Sequence, residues 1–171
     1  GINCKVGGLL AYGTDAGATL AQTTGAPTTW SHAHTALHRD RGSWQISGVT
    51  VEARDQSSGY GFAVAAVPFP SSGRHTAVVR INGRSGANVG VGVVTSFDEV
   101  KRQHDSTEKA WIGSGQYGWC LFHDGDCAHR GSWNSGSLRI NRDGGTVAVT
   151  FDAARSSISF QTEGGQKRED V

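Results

Sequence analysis

The apolar positions of this chain come in short alternating bursts cut by turn formers, the pattern of half-buried β-strands. Val147, Val149 and Phe151 share one face of segment 146–151, and Ile158 and Phe160 repeat that pattern after a turn over 152–156. Val89, Val91 and Val93 alternate with Gly90 and Gly92, which predicts one packed face and one bare face open to a close backbone or ring. Segment 76–81 predicts another strand, closed by the turn pair Asn82-Gly83. The run 60–67 is small or apolar on both faces, as in a strand covered on both sides, and Pro68 and Pro70 end it. Between Trp44 and Ala53 the alternation changes phase, from Trp44 and Ile46 to Val49, Val51 and Ala53. A bulge or strand break is expected beside Gly48.

Segments 117–123 and 126–129 predict a hairpin about a two-residue turn at Asp124-Gly125. Ser137 to Ile140 reads as a short strand, and Gly164-Gly165 closes the last strand before a charged tail over 166–171. Ser96 and Glu99 have capping-box spacing, so at most one short helix is expected. Residues 1–45 carry the weakest pattern: 7–12 reads as a strand and 23–29 as a polar loop. Short strands with glycine turns between them predict an all-β fold, an antiparallel β-sandwich or barrel, and no linker-like stretch divides it into domains.

Composition narrows the setting. A chain of 171 residues, 36% of them hydrophobic, can bury a core without metal or disulfide staples. Sixteen Lys+Arg against 15 Asp+Glu leave a net charge of +1, so no electrostatic case exists for nucleic acid or an anionic membrane as partner. No apolar run approaches the roughly 20 residues that span a bilayer. The odd count of 3 cysteines and the lack of Asn-x-Ser/Thr sequons point to a reducing, intracellular (cytoplasmic) compartment. A chain without methionine is expected to be a fragment or processed product, here the domain of a larger protein.

Several motifs in order resemble a SPRY domain, the core of the B30.2 module. Arg74 to Ile81 after Gly73 resembles the family's glycine-led strand, and Val89-Gly90-Val91-Gly92 the strand that follows it. Trp111, Gly113 and Tyr117-Gly118-Trp119 resemble the approach to its central hairpin, with Asp124-Gly125, Ala128-His129 and Gly131 as turn and return. The ending 145–152, then Ile158-Ser159-Phe160 and Glu163-Gly164, is similar to the family's last motif, although Thr146-Val147 stands where the family has Asp-Val. The resemblance covers about 46–165 and leaves 1–45 as an N-terminal extension. It implies a concanavalin-like sandwich serving as a non-catalytic protein-interaction module, a monomeric domain whose edge loops hold a short segment of a partner protein. By motif position, Tyr117 and Gly118 fall where family members contact such ligands. The family continues with closing strands beyond Glu163-Gly164, and an N-terminal strand over 7–12 is expected to fill their place in the sheet.

The residues themselves offer little catalytic chemistry. Cys120, His123, Cys127 and His129 carry zinc-preferring atoms within ten residues. With a two-residue turn, however, Cys120, Cys127 and His129 share a face with Phe122 between them, and His123 points away. Structural cysteines are expected there, with no metal and no cofactor. His32, His34 and His38 have metal-like spacing but sit in a polar stretch read as a solvated loop. Gly83-Arg84-Ser85-Gly86-Ala87 lacks the final glycine of a nucleophile elbow, and no glutamate has an acidic neighbour at strand spacing. The chain is therefore not expected to be an enzyme. Trp111, Tyr117 and Trp133, among turns and glycines, are the expected aromatic anchors, with Arg74 and Arg130 as cationic contacts to a protein or peptide ligand. The alternatives are a lectin-like sandwich that stacks sugars on exposed tryptophans and a zinc-dependent enzyme.

Overall fold

The computed structural model describes residues 9–13, 16–24, 30–35, 44–47, 49–53, 61–65, 69–83, 89–96, 98–99, 102, 115–141, 143–164 and 167–170. In chain order the strands are β1 (Leu9–Gly13), β2 (Ala16–Thr24), β3 (Trp30–Thr35), β4 (Trp44–Ser47), β5 (Thr50–Ala53), β6 (Gly61–Ala65) and β7 (Arg74–Gly83). There follow β8 (Val89–Val94), β9 (Gly118–Phe122), β10 (Cys127–His129), β11 (Ser132–Asn134), β12 (Asp143–Asp152), β13 (Ser157–Thr162) and β14 (Lys167–Asp170). They form two seven-stranded sheets, ordered β11-β10-β9-β8-β1-β6-β3 and β14-β13-β12-β7-β2-β5-β4. All the pairings are antiparallel. Among the described residues, helical backbone is confined to Asp98, Glu99 and Arg102. The Ser96 cap forms there: Ser96 Oγ accepts the Glu99 N–H at 3.3 Å, and Arg102 pairs with Glu99 at 2.6 Å.

Alternation explains which faces pack. Val79, Ile81, Val147, Val149, Phe151 and Phe160 of the second sheet are buried in one apolar cluster with Val89, Val91, Val93 and Leu121 of the first. Each fully buried side chain of this size stabilises the fold by about 1.5–3 kcal/mol relative to exposure. Opposite parity carries polar groups on β12 and β7, where Thr76 and Thr150 join hydroxyls at 2.8 Å. Trp30 adds to the core from β3, 4% exposed, with its indole N–H donating to the Val49 carbonyl at 2.9 Å.

Several strands differ from the sequence reading. The strand break expected beside Gly48 does form, but as a reversal rather than a bulge: β4 and β5 pair with each other, Ile46 opposite Val51 and Ser47 opposite Thr50. Asn82-Gly83 is not a turn, because β7 runs on through both to meet Asp143 and Ala16. The charged tail supplies β14, paired with β13 through Phe160–Arg168 and Gln161–Lys167. Segment 137–140 forms no strand: the Arg139 N–H turns back to the Ser137 carbonyl at 2.9 Å, and only the alternation survives, with Leu138 and Ile140 buried. His32 and His34 lie on β3 rather than in a loop, opposite Val64 and Phe62. The expected N-terminal strand forms as β1, inserted between β8 and β6.

Candidate functional site

Two turns at the ends of β10 shape the candidate surface. At one end, Gly125 N–H donates to the Phe122 carbonyl at 3.0 Å and Phe122 N–H to the Asp126 carbonyl at 2.8 Å. That closes a three-residue loop, 123–125, with Gly125 at φ 100, a left-handed conformation that favours glycine. The two-residue loop expected from Asp124-Gly125 is therefore wrong by one position. The slip sets Cys127 opposite Leu121 and Ala128 opposite Cys120, so Cys120 faces away from Cys127 and His129 instead of sharing their side. Among the described residues, no group of three or more His, Cys, Asp or Glu is placed to hold a metal ion.

Cys120 and Cys127 are reduced thiols, both buried. Burial, and secondarily the nearby Cys127, pushes the Cys120 thiol well above its ordinary value. Native protein at pH 8 is expected to leave both unlabelled by iodoacetamide, and unfolding should expose both; peptide mapping by mass spectrometry checks this. A neutral buried thiol contributes fully below the unfolded thiol value, and that contribution is lost as pH rises from there towards the raised folded value.

At the other end of β10, Arg130 (φ 52) and Gly131 (φ 73) make a tight turn with His129 opposite Ser132. Both central residues are left-handed, the condition for a type I′ hairpin. Arg130 N–H donates to the Gly115 carbonyl at 3.2 Å, and His129 Nδ1 lies 2.9 Å from the Gly118 carbonyl. Thr95 N–H donates to the Tyr117 carbonyl at 2.8 Å. Tyr117, Gly118 and Arg130 thus meet at one end of the first sheet, with Arg130 exposed and Tyr117 half-buried. Trp119 goes inward, half-buried against the core and stacked on the His129 ring at 4.1 Å and 10°.

Trp133 stands on β11, the outermost strand of that sheet, opposite Ala128. It is 44% exposed, and its ring leans on Phe122 with centroids 5.0 Å apart. A large aromatic held by a buried ring yet open to solvent is a preformed anchor. Arg74 is also exposed but opens β7 in the second sheet, opposite Asp152. Trp111 and His38 lie outside the described residues. A polar cleft lined by Arg139 and Glu163 escaped the sequence reading, because its residues come from three separate segments.

No helix among the described residues is long and apolar enough to cross a membrane. No protein-family model, curated protein or solved structure matches this chain.

Proposed function

We infer that this chain is a non-catalytic protein-interaction module that binds a short segment of a partner protein along the Arg130–Trp133 side of its first sheet. The observation that carries the reading is Trp133, exposed on an outermost strand while its ring rests on buried Phe122. Arg130, displayed by a tight turn three residues away, adds a cation suited to an acidic group, and Tyr117 and Gly118 border the same turn. An anchor already in place loses little entropy on docking, so a short ligand can bind without remodelling the sheet. The finer fold we propose is a bent, concanavalin-like sandwich of the SPRY type, supported by two antiparallel sheets that contribute to one core. The buried, reduced thiols of Cys120 and Cys127 favour an intracellular setting.

Affinity capture with the wild-type chain, Trp133→Ala and Tyr117→Ala tests the surface. Recovery of the wild-type partner is expected to fall by about tenfold or more for Trp133→Ala, the usual scale for a tryptophan hot spot. Undiminished recovery by both folded variants would remove this surface from consideration. A glycan array separates the lectin reading, which also draws on an exposed tryptophan.

A further inference from the structure

A second site lies at the other end of β10 from Arg130, and it does not rest on the function proposed above. After β11 the chain crosses from the first sheet to the second, held at the Gly125 loop by the Ile140 N–H, which donates to the His123 carbonyl at 3.1 Å. A side chain on Gly125 would meet the Gly136 carbonyl at 2.5 Å, so glycine is what lets the crossing segment lie so close. The segment alternates: Leu138 and Ile140 enter the core, and Ser137, Arg139 and Asn141 turn outward. Across from them, the start of β12 supplies Thr146, the end of β13 Thr162, and the turn just after it Glu163. Together these residues line an open cleft of about 370 Å³, within the range of small-ligand sites.

Asn141, Thr146 and Glu163 of the lining are held by hydrogen bonds. Asn141 accepts from the Asp143 N–H through Oδ1 at 3.1 Å and from the Gly145 N–H through its carbonyl at 3.0 Å. That leaves the Asn141 amide NH₂ as a donor. Gly145 has no room for a side chain, since a Cβ would run into the Asn141 carbonyl. Thr146 Oγ1 donates to Glu163 Oε1 at 3.0 Å, which orients the carboxylate. Gly164 has nothing within 4 Å of where a Cβ would stand, so that side of the cleft is open.

Charge decides the ligand class. Arg139 and Glu163 line the same cleft, and neither is seen in an ion pair among the described residues. A simple anion would be drawn by the guanidinium and repelled by the carboxylate, and a simple cation the reverse, so each gains little. A neutral molecule carrying both signs gains from both, and charge-assisted hydrogen bonds are about twice as strong as neutral ones. We propose that this cleft binds a small zwitterion, a free α-amino acid or a dipeptide, with its carboxylate on Arg139 and its ammonium group on Glu163.

The test is an NMR titration of the full chain with the common free amino acids and with L-alanyl-L-alanine. Each ligand that binds is repeated as its N-acetyl and its C-amide derivative. The proposal expects amide shifts clustered at Thr146, Glu163 and Gly164, and binding weakened about tenfold or more when either ligand charge is removed. Arg139→Gln and Glu163→Gln, both at exposed positions, should each weaken binding to the same degree, whereas Arg155→Gln on a remote turn should not. The proposal is overturned if no zwitterion shifts these residues at millimolar concentration, or if the singly charged derivatives bind as well. Equal shifts with glucose would overturn it too, because they would show hydroxyl recognition without need of the two charges.

Discussion

Gly92→Val is expected to destabilise the protein by about 3 kcal/mol or more, a large share of the roughly 5–15 kcal/mol that holds a domain folded. Gly92 lies on β8, opposite Cys120 of β9 and Leu10 of β1, in the interior of its sheet. A Cβ there would run into the Trp119 carbonyl oxygen and come within 2.9 Å of the Cys120 Cα. Those atoms are backbone in a paired strand and cannot step aside without breaking the ladder. The bare face of Val89-Gly90-Val91-Gly92 is thus a device for bringing two strands close. Gly164→Ala, with open space around it, is the control and should stay within about 0.5 kcal/mol. Urea midpoints followed by tryptophan fluorescence compare the two; equal midpoints would contradict the packing described for β8 and β9.

Phe160→Ala is expected to cost about 3–5 kcal/mol. Phe160 is fully buried, the largest such side chain among the described residues, and sits opposite Val149 on β12. It shares its cluster with Val91 and Leu121 of the other sheet. The cavity left by truncation would be walled by two hydrogen-bonded ladders, which limits collapse into it. A midpoint shift no greater than that of an exposed substitution such as Gln161→Ala would mean that the sheets do not close over this ring.

The parts of the fold visible in the sequence are those where large apolar residues alternate with polar ones. β12 and β13 are legible because Val147, Val149, Phe151, Ile158 and Phe160 leave only one face to bury. β2 and β3 were obscure for the opposite reason. Alanines, glycines and threonines over 16–24 have no strong period, and β2 is fixed by its long pairing with β7 rather than by its own pattern. The β9–β10 loop shows how a small error spreads: adding His123 to the turn moves Cys120 to the other face of the sheet from Cys127.

The candidate surface was partly legible. Trp133 and Arg130 stood out as an aromatic and a cation beside glycines, and the type I′ turn explains why they are displayed. Nothing in the sequence placed Arg74 on a different sheet from them. The Arg139–Glu163 cleft had no motif at all, because only the crossing of 137–141 between the sheets brings its two charges to one opening.

Selection from a phage-displayed random peptide library against the immobilised chain addresses recognition at Trp133 most directly. Enriched peptides are expected to share an acidic or aromatic feature and to lose about tenfold or more of their affinity against Trp133→Ala. Peptides that bind Trp133→Ala as tightly as the wild type, or a chain that enriches no peptide but retains glycans on an array, would contradict that recognition.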